Sequence, residues 1–326
     1  MSTPVHEHHA AAYRAREVPP PARLGHGITA LPVPLAGSAL RSVMVYTIET
    51  SAGVVLVDAG YRHASCWNAA VEALATIGHR VEDVVAVLLT HNHPDHVGLA
   101  DQVRQVSGAR VVMHRRDDFA SQQLERGPFL GQLAAALSQT GAPEDVATQM
   151  YAAAVTVAVH HEDLVLDQVL EEPDTPLVFG DTEIRALHLP GHTYGHTCYL
   201  HPAGVLLTGD TLMPEGPTQL AIAAEPGDDP AGDLLASLRR IAALDPDLAG
   251  PAHQYPFTDV GRRALDLHDF HAREVEAVAT LAERYDTAWE IAPHLTWAKP
   301  WDDMGLGTQR FALVHALGLL RAVRQG

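Results

Sequence analysis

The stretch Val84-Val85-Ala86-Val87-Leu88-Leu89-Thr90-His91-Asn92-His93-Pro94-Asp95-His96 decides how the chain is read. It begins as an uninterrupted apolar run, the pattern of a strand buried on both faces. Val97-Gly98-Leu99-Ala100-Asp101-Gln102-Val103 follows, with apolar spacing compatible with a helix. Three imidazoles and a carboxylate therefore crowd one strand-to-helix turn. Side chains alternate along an extended segment, so His91 and His93 point the same way, while Asp95 and His96, past the proline, point elsewhere. The four groups cannot all reach one ion without strain. The geometry predicts two adjacent metal positions, each with two ligands here and the rest farther along the chain. The chain holds 21 histidines, and isolated ones (His6, His8, His9, His26, His63) are read as surface residues without a role. The 91–96 cluster, with its tight spacing, is read as metal-binding.

Composition bounds the rest. Hydrophobic residues are 47% and charged residues 19% of 326, as in a globular protein with a large core. No apolar run approaches bilayer length. Residues 1–16 lack a signal-peptide core, so a cytoplasmic location with no membrane partner is expected. Cys66 and Cys198 are too few for a disulfide framework and read as buried thiols. The formal charge is −18, from 22 basic and 40 acidic residues, and the pairs Arg115-Arg116, Arg239-Arg240 and Arg262-Arg263 are isolated. Nucleic-acid binders carry a basic stripe, so nucleic acid is not the expected partner.

Outward from the cluster, residues 1–25 are polar and His-rich, then Pro-rich, and read as a mobile arm. Strand patterns cover 28–33, 42–48 and 53–57, the last ending at Asp58, which is either a turn residue or an acceptor orienting a metal-bound imidazole. A helix is predicted from Trp67 to Ile77, and another strand at 109–114. From Asp117 to about Val159 the chain is helical and Ala/Gln-rich, either a lid or substrate wall beside the metals or an ordinary helical hairpin. Strand patterns resume at 177–179, 184–189, 197–200 and 205–208; helical ones follow at 234–244, 260–284 and 308–323. Strands alternating with helices predict an α/β layered fold. The domain over 26–258 then carries an insertion at 117–159 and a C-terminal helical extension at 259–326. The apolar tail reads as core or as the contact of a homodimer.

Three later places put metal-competent groups at strand ends: Gly191-His192, Gly209-Asp210 and Pro251-Ala252-His253. Each alone is an ordinary turn. With the 91–96 cluster they complete a two-metal site. The set Thr90-His91-x-His93-x-Asp95-His96, His192, Asp210, His253 resembles the metallo-β-lactamase superfamily of hydrolases over roughly Ile28 to His253, with Asp58 matching its first motif. The resemblance implies an αβ/βα sandwich, two mixed sheets packed face to face with helices outside. It implies one metal on His91, His93 and His192, the other on Asp95, His96 and His253, and Asp210 bridging them. Imidazoles and carboxylates suit two zinc ions, and also iron or manganese.

The implied chemistry is hydrolysis of a carbonyl substrate by a hydroxide bridging two metals, with Asp95 coordinating and taking a proton. Tyr194 is either a donor to an oxyanion or a packing residue, and His196 is read as supporting the ligands from behind. The helical end, with His268-Asp269-Phe270-His271-Ala272-Arg273 and Thr287-Ala288-Trp289-Glu290, resembles a subgroup that carries a small C-terminal helical domain and includes acyl-thioester hydrolases and β-lactamase-like endoribonucleases. A thioester needs little help in leaving, and no separate general acid stands out, so a small acyl thioester or ester is the expected substrate. Lactone or β-lactam opening, a mononuclear iron dioxygenase and a non-catalytic binding protein are the alternatives. An endoribonuclease would require a basic patch beside His253.

Overall fold

The computed structural model describes residues 2–35, 40–118, 128–158 and 164–326. Its first half runs β1 (Thr3–Pro4), α1 (Glu7–Ala15), β2 (Ala22–Gly25), β3 (Ile28–Pro34), β4 (Ser42–Thr50), β5 (Gly53–Val57), α2 (Ala64–Thr76), β6 (Val84–Leu88), α3 (Pro94–Val97), α4 (Ala100–Ser107) and β7 (Arg110–His114). The second half continues with α5 (Phe129–Leu137), α6 (Glu144–Ala158), β8 (Gln168–Leu170), β9 (Asp174–Phe179), β10 (Thr182–His188), β11 (Thr197–His201), β12 (Val205–Gly209) and α7 (Pro230–Leu244). It closes with β13 (Leu248–Pro251), β14 (Phe257–Thr258), α8 (Val260–Ala282), α9 (Ala288–Ile291) and α10 (Leu306–Gln325).

Two mixed seven-stranded sheets result, ordered β2-β3-β4-β5-β6-β7-β8 and β1-β14-β13-β12-β11-β10-β9. The apolar runs of β4, β5 and β6 are continuous because each face of their sheet is buried. On β4, Val43 and Val45 pack outward with Leu74 of α2 and Val103 of α4, while Met44, Tyr46 and Ile48 pack inward. The inward side chains meet Ile184, Tyr199 and Leu207 of the other sheet. A third apolar layer covers that second sheet's outer face, built from α5 to α8 and α10. Two buried tyrosines tie the sheets together beside the ligand loops. The Tyr46 hydroxyl donates to the Pro251 carbonyl and that of Tyr199 to the Leu89 carbonyl, both at 2.8 Å. The αβ/βα sandwich is thus the observed fold.

The N-terminal segment differs from expectation. Residues 1–25 were expected to be a mobile arm, yet β1 pairs with β14 and β2 with β3, so this segment covers one edge of each sheet. His9, expected on the surface, is fully buried, and its Nε2 donates to the Pro20 carbonyl at 2.9 Å. Strands this short carry no legible period; pairing with β14 and β3 of the same chain creates them. The 117–159 stretch forms the hairpin of α5 and α6, although residues 119–127 and 159 lie outside the described residues. The apolar tail is core: Leu313, Leu317 and Leu320 of α10 join the layer formed with α7 and α8. No helix among the described residues is long and apolar enough to cross a membrane.

Candidate metal centre

Topology gathers the ligand loops. β5, β6 and β7 run parallel, so the loops after them, bearing Asp58, His91 to His96 and Asp117, share one end of their sheet. β12 and β13 also run parallel, so Asp210 and His253 share one end of the other. Backbone bonds from Thr197 N–H to the Thr90 carbonyl (2.8 Å) and from Met44 N–H to the Ala252 carbonyl (2.7 Å) join the two ends. The helix expected from Val97 is two pieces, with α3 starting at Pro94, so Asp95 and His96 lie on a helical turn. Gly98 separates them, and a Cβ there would come within 2.3 Å of the Arg62 backbone nitrogen. A register shift in β12 precedes Asp210. There Gly209 has φ +50°, and a Cβ would lie 2.7 Å from His196 Nε2, so only glycine lets these loops close.

The structure brings together all seven proposed ligands. Nε2 of His91 and of His192 lie 2.9 and 3.1 Å from His93 Nδ1, and Asp210 Oδ2 is 3.7 Å from His192 Nε2. His253 Nε2 is 3.3 Å from Asp95 Oδ2 and 3.6 Å from Asp210 Oδ2. His96 Nε2 is 3.8 Å from an oxygen of Asp95 and from one of Asp210. Ligand atoms thus cluster as His91, His93, His192 and Asp210, and as Asp95, His96 and His253, with Asp210 within reach of both groups. His96 Nε2, His253 Nε2 and Asp210 Oδ1 are buried without a hydrogen-bond partner. Buried polar atoms are almost always satisfied. Three that face one another without partners, on imidazole and carboxylate donors, fit a dinuclear divalent metal centre.

The far ring nitrogens are held. His96 Nδ1 donates to Asp58 Oδ2 at 2.8 Å, His253 Nδ1 to the Ser42 carbonyl at 3.1 Å, and His192 Nδ1 to the Gln219 carbonyl at 2.9 Å. Asp58 also accepts from the Thr90 N–H and hydroxyl at 2.8 to 3.0 Å, and His91 Nδ1 donates to that hydroxyl at 3.0 Å. These bonds leave each Nε2 lone pair facing inward. His196 Nε2 accepts from the Asp210 N–H at 3.1 Å, while its Nδ1 lies 2.9 Å from the Thr211 hydroxyl. Burial holds His91 well below the usual imidazole range, His93 down at about 3, and His192 lowered, so all three are neutral. Burial opposes charge on His96 too, yet the carboxylates of Asp58, Asp95 and Asp210 raise it to about 10. His253 is likewise raised against burial, first by Asp210. The carboxylates thus create a demand for positive charge here.

Two supports were given no site role by sequence reasoning, Asp117 and a cluster on α8 and α10. Asp117 is buried and accepts from the Thr193 hydroxyl (2.6 Å) and the Gly195 N–H (2.8 Å), setting the turn that presents His192. His271, Glu274 and His315 form a third compact cluster, from α8 and α10. Its ring nitrogens are occupied. His271 Nε2 accepts from the Thr218 N–H (3.2 Å) and His315 Nδ1 from the Leu220 N–H (3.3 Å). The opposite nitrogens donate to Glu274 Oε2 at 2.8 and 3.3 Å. This is a hydrogen-bonded clamp on residues 218–220, whose middle carbonyl, that of Gln219, receives His192 Nδ1–H. No helical period marks these residues apart from ordinary helix positions.

Two openings adjoin the centre. A narrow cavity of ≈ 80 Å³ is lined by His93, His192, Tyr194, Phe129 and Leu133 of α5, and Arg310 of α10. A second cleft, beside His253, is lined by Arg14, Arg16 and Arg41 as well as Glu17. Two of those arginines belong to the segment expected to be mobile.

Comparison with known proteins agrees with this geometry. A family model described as "Metallo-beta-lactamase superfamily" matches residues 39–253. The chain is 27% identical over 282 residues to a probable metallo-hydrolase of Bacillus subtilis, covering 81% of this chain and 83% of that one. It is 27% identical over 232 residues to a hydroxyacylglutathione hydrolase of Fuscovulum blasticum, covering 69% and 70%. A crystal structure of a metallo-beta-lactamase family protein from Thermus thermophilus superimposes with TM-score 0.75 at 28% identity, over 93% of this chain and 95% of that one.

Proposed function

Because the chain belongs to the metallo-β-lactamase superfamily, we propose that it is a dinuclear zinc hydrolase whose substrate is a small acyl thioester. The observation that carries the reading is the set of partnerless buried atoms on His96, His253 and Asp210, facing each other amid imidazoles fixed with their lone pairs inward. One ion would rest on His91, His93 and His192, the other on Asp95, His96 and His253, with Asp210 between them. Two bound dications supply a water of lowered pKa and a Lewis acid for the carbonyl oxygen. Asp95, held below the usual carboxylate range by His96 and His253 against burial, stays charged beside the metal positions and would accept the proton released by the attacking water. Tyr194 lines the cavity beside His93 and His192, and its hydroxyl would donate to the oxygen that gains charge. Phe129 and Leu133 give the acyl group an apolar wall and keep bulk water out.

Relatives named hydroxyacylglutathione hydrolases, which by that name act on an acyl-glutathione, support the thioester over other carbonyl substrates. Metal analysis with turnover of acyl thioesters, lactones, β-lactams and RNA tests the proposal. Two bound equivalents and thioester turnover are expected; inert thioesters beside turnover of another class would refute it. Arg14, Arg16 and Arg41 beside His253 favour one second reading, a phosphodiesterase acting on a polyanion. Cleavage of a single-stranded oligoribonucleotide, lost in an Arg14→Ala/Arg16→Ala/Arg41→Ala variant, would establish that reading instead.

A further inference from the structure

Arg310 lies in the first turns of α10 and lines the cavity that also holds His93, His192 and Tyr194. The residue is only 6% exposed. Its Nη1 has no hydrogen-bond partner, and among the described residues no carboxylate pairs with it. The guanidinium carbon sits 4.7 Å from the centre of the Phe311 ring, a contact that offers no acceptor. Asp117 lines the same cavity, but its two oxygens are engaged by Thr193 and Gly195. Burial lowers the pKa of Arg310 with no neighbouring acid to restore it.

A buried guanidinium without a counter-charge is costly, and proteins normally pair such groups. Elsewhere this chain does so even at the surface, as in Arg104 with Asp167 and Arg185 with Asp174. Here the missing partner faces a cavity that leads to the metal ligands. A guanidinium is a planar fork that matches a carboxylate through two parallel hydrogen bonds. A cavity of ≈ 80 Å³ has room for a short arm.

We infer that Arg310 is a recognition residue for a carboxylate on the substrate. The substrates are then acyl thioesters bearing a carboxylate on a short arm, seated with that group on Arg310 and the thioester carbonyl toward His93 and His192. The inference rests on the thioester function proposed above. The carboxylate belongs either to the acyl half or to the thiol half, and both place the same chemistry on Arg310.

Four probes test this: the succinyl thioester of N-acetylcysteamine and its methyl ester, and the acetyl thioester of 3-mercaptopropionate and its methyl ester. In at least one pair the acid should exceed its neutral ester in kcat/KM by about 30-fold, the cost of losing a buried charged partner. The difference should lie mainly in KM. Arg310→Met should bring acid and ester within about threefold of each other, through a loss that falls mainly on the acid. Arg310→Lys, which keeps a charge but not the fork, should lose about tenfold of the contrast, and it carries the test should the methionine variant not fold. Turnover blind to charge in the wild-type protein, or equal losses for acid and ester in both variants, overturns the inference alone. No turnover of any probe overturns the proposed function and this inference with it.

Discussion

Replacing Glu274 by glutamine perturbs His192, a proposed metal ligand, through a chain of named bonds while touching neither proposed metal position. Glu274 Oε2 accepts from His271 and His315, and those rings hold the N–H groups of Thr218 and Leu220 on either side of Gln219. Two hydrogen bonds to a charged acceptor contribute about 3–4 kcal/mol, the longer counted at the low end, and the amide oxygen of glutamine restores about 1–2. The net cost is about 2 kcal/mol. The lowered carboxyl of Glu274 points in the same direction. Burial opposes its charge, but the two imidazoles hold its carboxyl down at about 2 from an ordinary 4.5, a difference of about 3 kcal/mol. A depressed carboxyl contributes stability that is complete above the unfolded value and lost as pH falls through the folded one. The penalty of Glu274→Gln should therefore be full at neutral pH and shrink between about 4.5 and 2. Looser 218–220 backbone should weaken the ion on His91, His93 and His192 by about tenfold, the low end for groups that orient a ligand from behind. The assays are urea unfolding of chelator-treated protein and competition of each bound ion against a chelator. Leu267→Ala in α8 is the control, since it removes core packing with no bond to residues 218–220. Unchanged stability would refute the clamp. Lower stability with both ion affinities unchanged, as in the control, would refute its transmission to His192.

Asp210→Ala should remove at least one equivalent of metal and lower kcat/KM by about 10²-fold or more, because Asp210 lies within reach of both ion positions; full activity would defeat the two-metal mechanism. Tyr194→Phe should lower kcat by about 10²-fold with KM and metal content little changed, and a loss confined to KM would remove Tyr194 from the chemistry. Tyr199→Phe leaves the Leu89 carbonyl unpaired between the sheets and should cost about 1–3 kcal/mol, read as a shifted urea midpoint at constant slope. Removing metal should lower thermal stability by about 3 kcal/mol per ion present at a hundredfold its dissociation constant, and re-addition should restore it; a melting temperature indifferent to chelation would speak against resident ions.

What the chain's order of residues determined by itself was local. The apolar runs of β4, β5 and β6, the helical period of α7, α8 and α10, and the His-x-His-x-Asp-His turn after β6 are each set by neighbours a few residues apart. The layered α/β fold and the metal-binding chemistry were legible for that reason. Tertiary structure decided everything that depends on distant partners. His192 meets His93 across 99 positions, and Tyr46 meets Pro251 across 205. The two-residue β1 and four-residue β2 exist only because each covers the edge of a sheet, so the same residues read alone as a loose arm. Asp117 looks like any acid before a helical stretch until Thr193 and Gly195 are placed on it. His271, Glu274, Arg310 and His315 occupy ordinary positions along two helices, and nothing in a helical period separates a surface charge from a buried one. Packing of α8 and α10 over the 218–220 segment turns three of them into a clamp and leaves the fourth unpaired in the cavity beside His93 and His192.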